Sequence, residues 1–249
     1  MKRLIAAMEI AAVMIMLANT VFAAEIKVIA SPATKVAYLQ LIPEFEHISQ
    51  HRVLTVWGPT VEIMHRVRDG EAADLVIMAA DSIDELVELG KIAPGSRVDV
   101  AKSGIGMAVR AGGPNLDISS AEALKRALLS ARSIAISTGP SGVYLVGLFG
   151  RMGIADALRP KIGQVQGEPV GAVVARGEAE IGFQQVSELL PVTGIDFLGP
   201  LPPDVQQITV FAAGVHLNAG QPDAARSLVQ FLTSPEAAPV IKKSGMEPR

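Results

Sequence analysis

Three short segments of the chain combine Ser or Thr with Gly and Pro in a way that suits the binding of an anion. They are Ser31-Pro32-Ala33-Thr34, Gly58-Pro59-Thr60 and Gly139-Pro140-Ser141-Gly142. Each lies between a predicted strand and a predicted helix, where the first backbone N–H groups of the helix lack partners and its dipole favours negative charge. Hydroxyl groups add further donors. The segments therefore predict one shared anion-binding site, whose candidate residues are Ser31, Pro59, Thr60, Ser141 and Gly142.

The same residues also have a purely structural explanation. Ser31, Thr34 and Thr60 are suitable helix N-caps, and Pro140-Ser141-Gly142 is suitable for an ordinary turn. Taken alone, each segment is explained as well by capping as by ligand contact. Three such segments, distributed over two halves of the chain, favour a shared site.

Other kinds of site lack the residues that they need. The chain contains no Cys, and its four histidines, His47, His51, His65 and His216, have no metal-ligand spacing. Ser141 does not lie in a G-x-S-x-G motif. A net charge of −3 provides no broad basic surface for nucleic acid. We therefore expect no metal, no cofactor, no catalytic residue and no nucleic-acid partner.

The elements that must position these segments alternate between strands and helices. Apolar runs predict strands at residues 26–30, 53–57, 74–78, 132–137 and 181–184. Apolar residues at helical spacing predict helices at 34–48, 60–69, 119–130, 141–151, 169–177, 222–232 and 235–243. Pro43 is expected to kink or restart the first of these helices. The alternation is typical of an α/β fold with buried, mostly parallel sheets.

A sequence unit occurs once in each half. RDGEAADLVI (residues 68–77) and ARGEAEIGF (175–183) both pass from the end of a helix, through Gly-Glu-Ala and an acidic residue, into a buried strand. A single Gly-Glu-Ala is a common turn. Two copies at equivalent places indicate two equivalent α/β lobes.

The first 24 residues have the pattern of a secretory signal peptide. Lys2 and Arg3 precede an apolar run at residues 10–18, and small residues follow at 21–24. The run is shorter than the ~20 residues that a membrane span requires, although an uncleaved anchor remains the alternative because Glu9 is unusual at this position. We expect export, cleavage and a freely soluble periplasmic protein.

Several stretches, in this order and spacing, resemble the periplasmic molybdate-binding protein family, whose members are type II solute-binding components of ABC transporters. They are IKVIASPATK, VWGPTVEIM, DGEAADLVIMAADSIDELVELGKI, TGPSGVYLVGLFGRMGI, RGEAEIGFQQVSEL and FLTSPEAAPVIKKSGM. The resemblance covers the chain from Glu25 onward. It implies a two-lobed fold in which helices flank a mixed, mostly parallel sheet in each lobe.

The resemblance also implies roles for individual residues. Ser31 matches one hydroxyl that holds the oxyanion in this family, and Thr60 falls on the second. Ser141 and the region of Val170 would supply backbone N–H groups. At the position of the family's tyrosine this chain has Gln184-Gln185, of which strand alternation would let only one face the cleft.

The Gln pair leaves the identity of the ligand open. A fully deprotonated oxyanion such as molybdate needs only donors, whereas a Gln side chain also offers an acceptor. That acceptor would suit a hydroxyl or a protonated carboxyl on an organic acid. The sequence thus predicts a small anionic ligand, either a molybdate- or tungstate-like oxyanion or a small carboxylate.

The expected organisation follows from the same resemblance. Lobe 1 would comprise residues 25–101 and 208–249, and lobe 2 residues 102–207. The ligand would favour a closed form by touching both lobes, and the protein, a monomer without covalent chemistry, would deliver it to the permease of an ABC transporter. Two rivals are a periplasmic enzyme, which would need a paired acid and base or a metal, and a regulatory effector domain, which would carry a DNA-binding segment.

Overall fold

The computed structural model describes residues 23–249, which form an α/β protein built around two mixed sheets. The predicted signal peptide lies outside these residues, apart from Ala23 and Ala24. Within residues 23–249, no helix has both the length and the apolar composition needed to cross a membrane.

Eleven strands make up the two sheets in the described part of the chain. In chain order they are β1 (Glu25–Ala30), β2 (Arg52–Trp57), β3 (Leu75–Ala79), β4 (Val98–Ser103), β5 (Ile105–Arg110), β6 (Ile134–Ser137), β7 (Ile162–Val165), β8 (Ile181–Gln185), β9 (Ile195–Pro200), β10 (Thr209–Val215) and β11 (Glu247–Pro248).

The helices pack on the faces of these sheets. The α-helices are α1 (Lys35–Ser49), α2 (Thr60–Arg68), α3 (Ala80–Glu88), α4 (Ala121–Ser130), α5 (Pro140–Arg151), α6 (Ala155–Leu158), α7 (Val170–Ala175), α8 (Val186–Leu189), α9 (Pro222–Leu232) and α10 (Ala238–Lys243). Short 3-10 helices occupy Pro32–Thr34, Arg159–Lys161 and Pro203–Val205.

The two sheets have equivalent topologies. The first has the order β11-β4-β10-β3-β1-β2 and the second β7-β6-β8-β5-β9. In the first sheet β1 lies parallel to β2 and β3, and in the second β6 lies parallel to β7 and β8. An antiparallel strand, β10 or β5, pairs with the next strand of each sheet. The chain passes from one sheet to the other at Gly104, between β4 and β5, and returns between β9 and β10.

The repeated Gly-Glu-Ala unit occupies the same place in each sheet. Gly70 follows α2 with φ 91°, and Gly177 follows α7 with φ 77°. Because this left-handed conformation is readily adopted only by glycine, both helices end at a defined point and the chain turns into β3 or β8. This equivalence confirms the prediction of two similar α/β units.

Apolar side chains fill the space between each sheet and its helices. Phe211 of β10 and Phe45 of α1 lie in one cluster on the first sheet, and Phe183 of β8 and Phe149 of α5 lie in a cluster on the second. All four side chains are almost fully buried. Each sheet therefore has its own core, and the ends of its parallel strands are held rigidly.

The structure confirms the predicted strands and helices to within a few residues and differs at two kinds of position. Helix α1 runs without interruption through Pro43, so the predicted restart of the helix there is wrong. The helix tolerates the loss of one backbone bond because its buried face, including Tyr38, Leu41 and Phe45, packs on the first sheet. The sequence analysis does not predict the strands β4, β5, β7, β9, β10 and β11 or the helices α3, α6 and α8.

Candidate functional site

A cleft of about 440 Å³ lies where the carboxyl ends of strands from both sheets meet. Its walls come from the segments that follow β1, β2, β6 and β8. Small-molecule sites typically enclose roughly 300–1,000 Å³, and in open α/β sheets they lie at the carboxyl ends of the strands. The cleft is therefore the candidate site.

Ser31 places a hydroxyl donor at the end of β1. Its backbone N–H donates to the Ile77 carbonyl at 2.8 Å, which fixes the segment to the neighbouring strand β3. Its Oγ accepts a long bond of 3.4 Å from the Ala33 N–H and so caps the 3-10 helix. The hydroxyl proton of Ser31 is not used in this cap. Ser31 can therefore cap the helix and donate to a ligand at once.

Thr60 opens α2 directly after Pro59, and both residues line the cleft. The side chain of Thr60 is only 7% exposed, and its Oγ1 has no hydrogen-bond partner among the described protein atoms. A buried hydroxyl without a partner is unfavourable, by roughly 1–3 kcal/mol. A ligand atom that accepts from Thr60 would relieve this cost, and the N-terminus of α2 would favour a negative one.

Ser141 and Ser137 form a hydroxyl pair on the opposite wall. Their Oγ atoms lie 3.0 Å apart, and Ser137 Oγ also accepts from the Gly139 N–H at 3.2 Å. Whichever serine donates to the other, one hydroxyl proton of the pair remains available. Both serines line the cleft, Ser137 at the end of β6 and Ser141 in the first turn of α5.

Gly142 has a steric role in the same turn. A Cβ at this position would lie 1.7 Å from the Ser137 carbonyl oxygen, so only glycine lets α5 approach the end of β6. Gly142 is buried behind Ser141 and does not line the cleft.

Gln184 and Glu188 form a hydrogen-bonded pair in the second-sheet wall of the cleft. Gln184 Oε1 accepts from the Val170 N–H at 2.8 Å, and Gln184 Nε2 donates to Glu188 Oε1 at 2.8 Å. The N–H of Val170 is therefore occupied by Gln184, and Val170 itself does not line the cleft. Burial raises the pKa of the Glu188 carboxyl from 4.5 to about 7, and the bonds from the Gln184 side chain and the Gln185 backbone offset only part of this rise.

Gln185 lines the cleft as well, but its amide serves the crossing between the sheets. It lies 3.0 Å from Thr209 Oγ1 at the start of β10. With its nitrogen facing the other way, the amide donates to the carbonyl oxygens of Ser103 and Gly104, both at 3.1 Å, and accepts from Thr209. The structure thus brings both glutamines to the cleft because β8 ends at Gln185.

Few charged groups reach the cleft. Lys35 lies 5.5 Å from the centroid of the Trp57 ring, a cation–π arrangement at the rim. Glu62 and Glu168 also line the cleft, and each pairs with an arginine, Arg66 or Arg176. Among residues 23–249, no group of three or more His, Asp or Glu side chains is arranged to hold a metal ion.

The structure therefore brings six of the eight predicted site residues to one cleft and places Gly142 and Val170 behind its walls. The predicted site residues do not include Glu188, Ser137 or Lys35. Glu188 lies in the stretch QVSEL directly after a predicted strand, and this position was its only signal. Its interaction with Gln184 depends on a turn that the sequence pattern does not define.

Comparisons with known proteins give three findings. The profile of a family described as bacterial extracellular solute-binding protein matches residues 26–247. A Pseudomonas protein named aconitate isomerase is 46% identical over 187 residues, 75% of this chain and 71% of that protein. The molybdate-binding protein ModA of Azotobacter vinelandii is 28% identical over 243 residues, 92% of each chain.

Solved structures share the fold. The periplasmic molybdate-binding protein of Azotobacter vinelandii superposes with a TM-score of 0.76 at 21% identity, over 90% of this chain and 99% of that chain.

Proposed function

Because the chain belongs to the bacterial extracellular solute-binding protein family and has the fold of type II periplasmic binding proteins, we propose that it binds a small polycarboxylate in the cleft. The predicted fold class and the predicted resemblance to the molybdate-binding proteins are both confirmed by these comparisons. The proposal adds the class of the ligand, a small polycarboxylate.

The main observation that supports an anionic ligand is that several hydroxyl groups with unused protons lie in the same cleft. Ser31 retains its proton, the pair Ser137 and Ser141 retains one, and the hydroxyl of Thr60 is buried without a partner. Two of these groups stand in the first turns of α2 and α5, where the helix dipoles favour negative charge. Carboxylate oxygens are the acceptors that such donors match.

The second-sheet wall supports a carboxylate over a tetrahedral oxyanion. Gln184 occupies the Val170 N–H, so this backbone donor is not free for an oxyanion. Glu188 adds a carboxyl group to the wall. In its protonated form, Glu188 can donate to a carboxylate. The aconitate isomerase relative, at 46% identity, supports an unsaturated tricarboxylate of the aconitate type.

The proposal includes the route of the ligand. The two sheets would act as two lobes, with residues 25–101 and 208–249 in one and 102–207 in the other, and the ligand would hold them closed. After removal of the signal peptide, a monomer in the periplasm would present the ligand to an ABC-transporter permease. Membership in an extracellular solute-binding family supports this location and this partner.

A molybdate- or tungstate-like oxyanion is the second candidate ligand. The relative from Azotobacter vinelandii supports it, as do Ser31 and Thr60, which supply two hydroxyl donors in the first lobe. Both candidates would use the same cleft and the same first-lobe donors.

Calorimetric titration of the ligand-stripped protein tests the proposal. The panel contains the E and Z isomers of aconitate, a saturated tricarboxylate, molybdate, tungstate and sulfate. We expect heat with the tricarboxylates and a loss of about tenfold or more in affinity for Ser31→Ala, because a hydrogen bond to a charged group contributes about 1.5–3 kcal/mol. Ser130→Ala, which changes an exposed serine outside the cleft, is the matched control. Binding of molybdate alone would favour the second candidate, and no heat with any anion would refute both.

A further inference from the structure

Glu188 is a carboxyl group that solute binding alone does not explain. It lies in the short helix α8, lines the cleft and is partly exposed to it. Helix α8 follows β8 of the second sheet and also packs against the 3-10 helix that Ser31 caps. A ligand held by Ser31 would therefore lie beside Glu188.

The orientation of Glu188 is fixed by its neighbour. The Val170 N–H can only donate, so it must face the Gln184 oxygen, and the Gln184 nitrogen then faces Glu188. Glu188 Oε1 is consequently an acceptor in either protonation state. Its second oxygen is the atom that can carry or release a proton.

No cation compensates the charge of Glu188 in the described part of the chain. The charged groups on the elements around it and in the cleft walls are Lys35, Glu62, Arg110, Glu168 and Arg176, of which Arg110 lies at the end of β5 away from the cleft. Glu62 and Glu168 are paired with arginines, Arg176 being the partner of Glu168, and Lys35 lies over Trp57. Burial therefore dominates and brings the pKa of Glu188 to about 7, the range in which a carboxyl group serves best as both general acid and general base.

We propose that Glu188 moves a proton between two carbon atoms of the bound ligand, so that the cleft interconverts the E and Z isomers of an unsaturated tricarboxylate. This inference rests on the proposed ligand class. The reaction is the one in the name of the Pseudomonas relative, and the role of Glu188 in it is the new step.

The reaction balances without a cofactor. Ionised Glu188 removes a proton from the methylene carbon of aconitate, and the electrons of the broken C–H bond form a new double bond to the central carbon. The electrons of the old double bond move to the far carbon and its carboxylate. Protonated Glu188 then delivers the proton to that far carbon, where a C–H bond forms. One C–H bond breaks and one forms, and the position of the double bond is exchanged.

The hydroxyl groups of the cleft suit the charge that develops in this reaction. Negative charge gathers on the ligand carboxylate next to the far carbon as the proton leaves. Donors that are already oriented, such as Ser31, Thr60 and the Ser137–Ser141 pair, would stabilise that charge without reorganising.

The test compares the wild-type protein with Glu188→Gln, Glu188→Asp and, as a matched control, Glu122→Gln at an exposed site of α4. Gln at position 188 retains the oxygen that accepts from Gln184, so the fold and the cleft should persist. Binding of E-aconitate is measured by calorimetry. Its conversion is followed by proton NMR in D₂O, which also detects deuterium entering the new methylene group.

We expect wild type and Glu122→Gln to convert E-aconitate with deuterium uptake, and the kcat/KM of both to fall as the pH drops below about 7, where Glu188 is protonated. Glu188→Gln should bind within about threefold of wild type but convert at least ~100-fold more slowly. Glu188→Asp should recover part of the activity with a shifted pH profile.

Binding of aconitate by wild type without conversion would overturn the inference and leave the proposed function intact. Conversion undiminished in Glu188→Gln would exclude Glu188 as the proton carrier. Failure of wild type to bind any tricarboxylate would refute the proposed function itself.

Discussion

Replacing Thr60 with Val should strengthen the unliganded protein and weaken its binding of ligand. Thr60 is 7% exposed and its buried hydroxyl has no partner among the described atoms, so it contributes an unpaired polar group to the folded state. Val has nearly the same shape and a similar helix propensity. We expect the free energy of unfolding to rise by about 1 kcal/mol, because a buried hydroxyl without a bond costs roughly 1–3 kcal/mol. For a chain of this size, that corresponds to a rise of about 2–4 °C in Tm.

The effect on binding should have the opposite sign. A hydrogen bond from Thr60 to a carboxylate would contribute about 1.5–3 kcal/mol, so its loss should raise the Kd by a factor of about 10–150. Chemical denaturation of ligand-stripped protein gives the first quantity and calorimetry the second. Ligand must be removed completely, since bound ligand would itself stabilise the wild type.

Thr55→Val is the matched control for this substitution. The Thr55 hydroxyl, on the edge strand β2, bonds the Tyr38 hydroxyl at 2.8 Å in a partly buried position, and Thr55 does not line the cleft. The control should lose stability and keep its affinity. The reasoning is refuted if Thr60→Val destabilises the protein as Thr55→Val does while the Kd stays unchanged.

Three further substitutions test the packing and the charges of the fold. Gly142→Ala should destabilise by more than ~3 kcal/mol in denaturant titrations, since its Cβ would lie 1.7 Å from the Ser137 carbonyl oxygen, whereas Gly150→Ala, with open space in the same helix, should be neutral or stabilising. Asp74→Asn should cost about 2 kcal/mol, because the two oxygens of this buried carboxylate each accept a backbone N–H, and Asn keeps one of these bonds through its oxygen but sets its NH₂ group against the other N–H. Equal stability of wild type and Asn variant would contradict this. The pKa of Glu188 is higher in the folded protein than in the unfolded chain, so the unfolded chain releases this proton first as the pH rises. Wild type should therefore lose stability relative to Glu188→Gln as the pH rises from 4.5 to about 7. A constant difference in the free energy of unfolding between the two proteins across this range would show that the pKa is not raised.

The sequence was informative where structure depends on neighbouring residues. Parallel strands such as β1, β3 and β8 are short apolar runs next to amphipathic helices, so the sequence pattern predicts them. The sequence pattern does not reveal the strands β5 and β10. Both pair antiparallel with strands far away in the chain, and both are buried on both faces of the sheet. Their apolar and small residues show no alternation that would distinguish them from other buried segments.

The residues of the candidate site also differ in whether their signal in the sequence is local. Ser31, Thr60 and Ser141 were identifiable because a hydroxyl next to Pro or Gly at a helix start is a local signal. Gly142 carries an equally local signal, yet the structure explains it by its contact with Ser137. The importance of Glu188 depends on burial and on the bond from Gln184, and neither is encoded by the spacing of residues.

Both ends of the Gln184 side chain make hydrogen bonds in the wall of the cleft. An amide has a donor end and an acceptor end, and here both are used: the oxygen accepts from Val170 and the nitrogen donates to Glu188. The first bond removes a donor that a bound oxyanion would need. The second holds a carboxyl group in the cleft with one of its oxygens directed at the amide. A tyrosine at this position, which the resemblance to the molybdate-binding family implies for its members, would place a single oxygen there, whereas the amide places its acceptor and its donor on two separate atoms. Under the proposed function, Gln184 thus holds in place the carboxyl group that would accept and return a proton, beside the hydroxyl groups that line the same cleft.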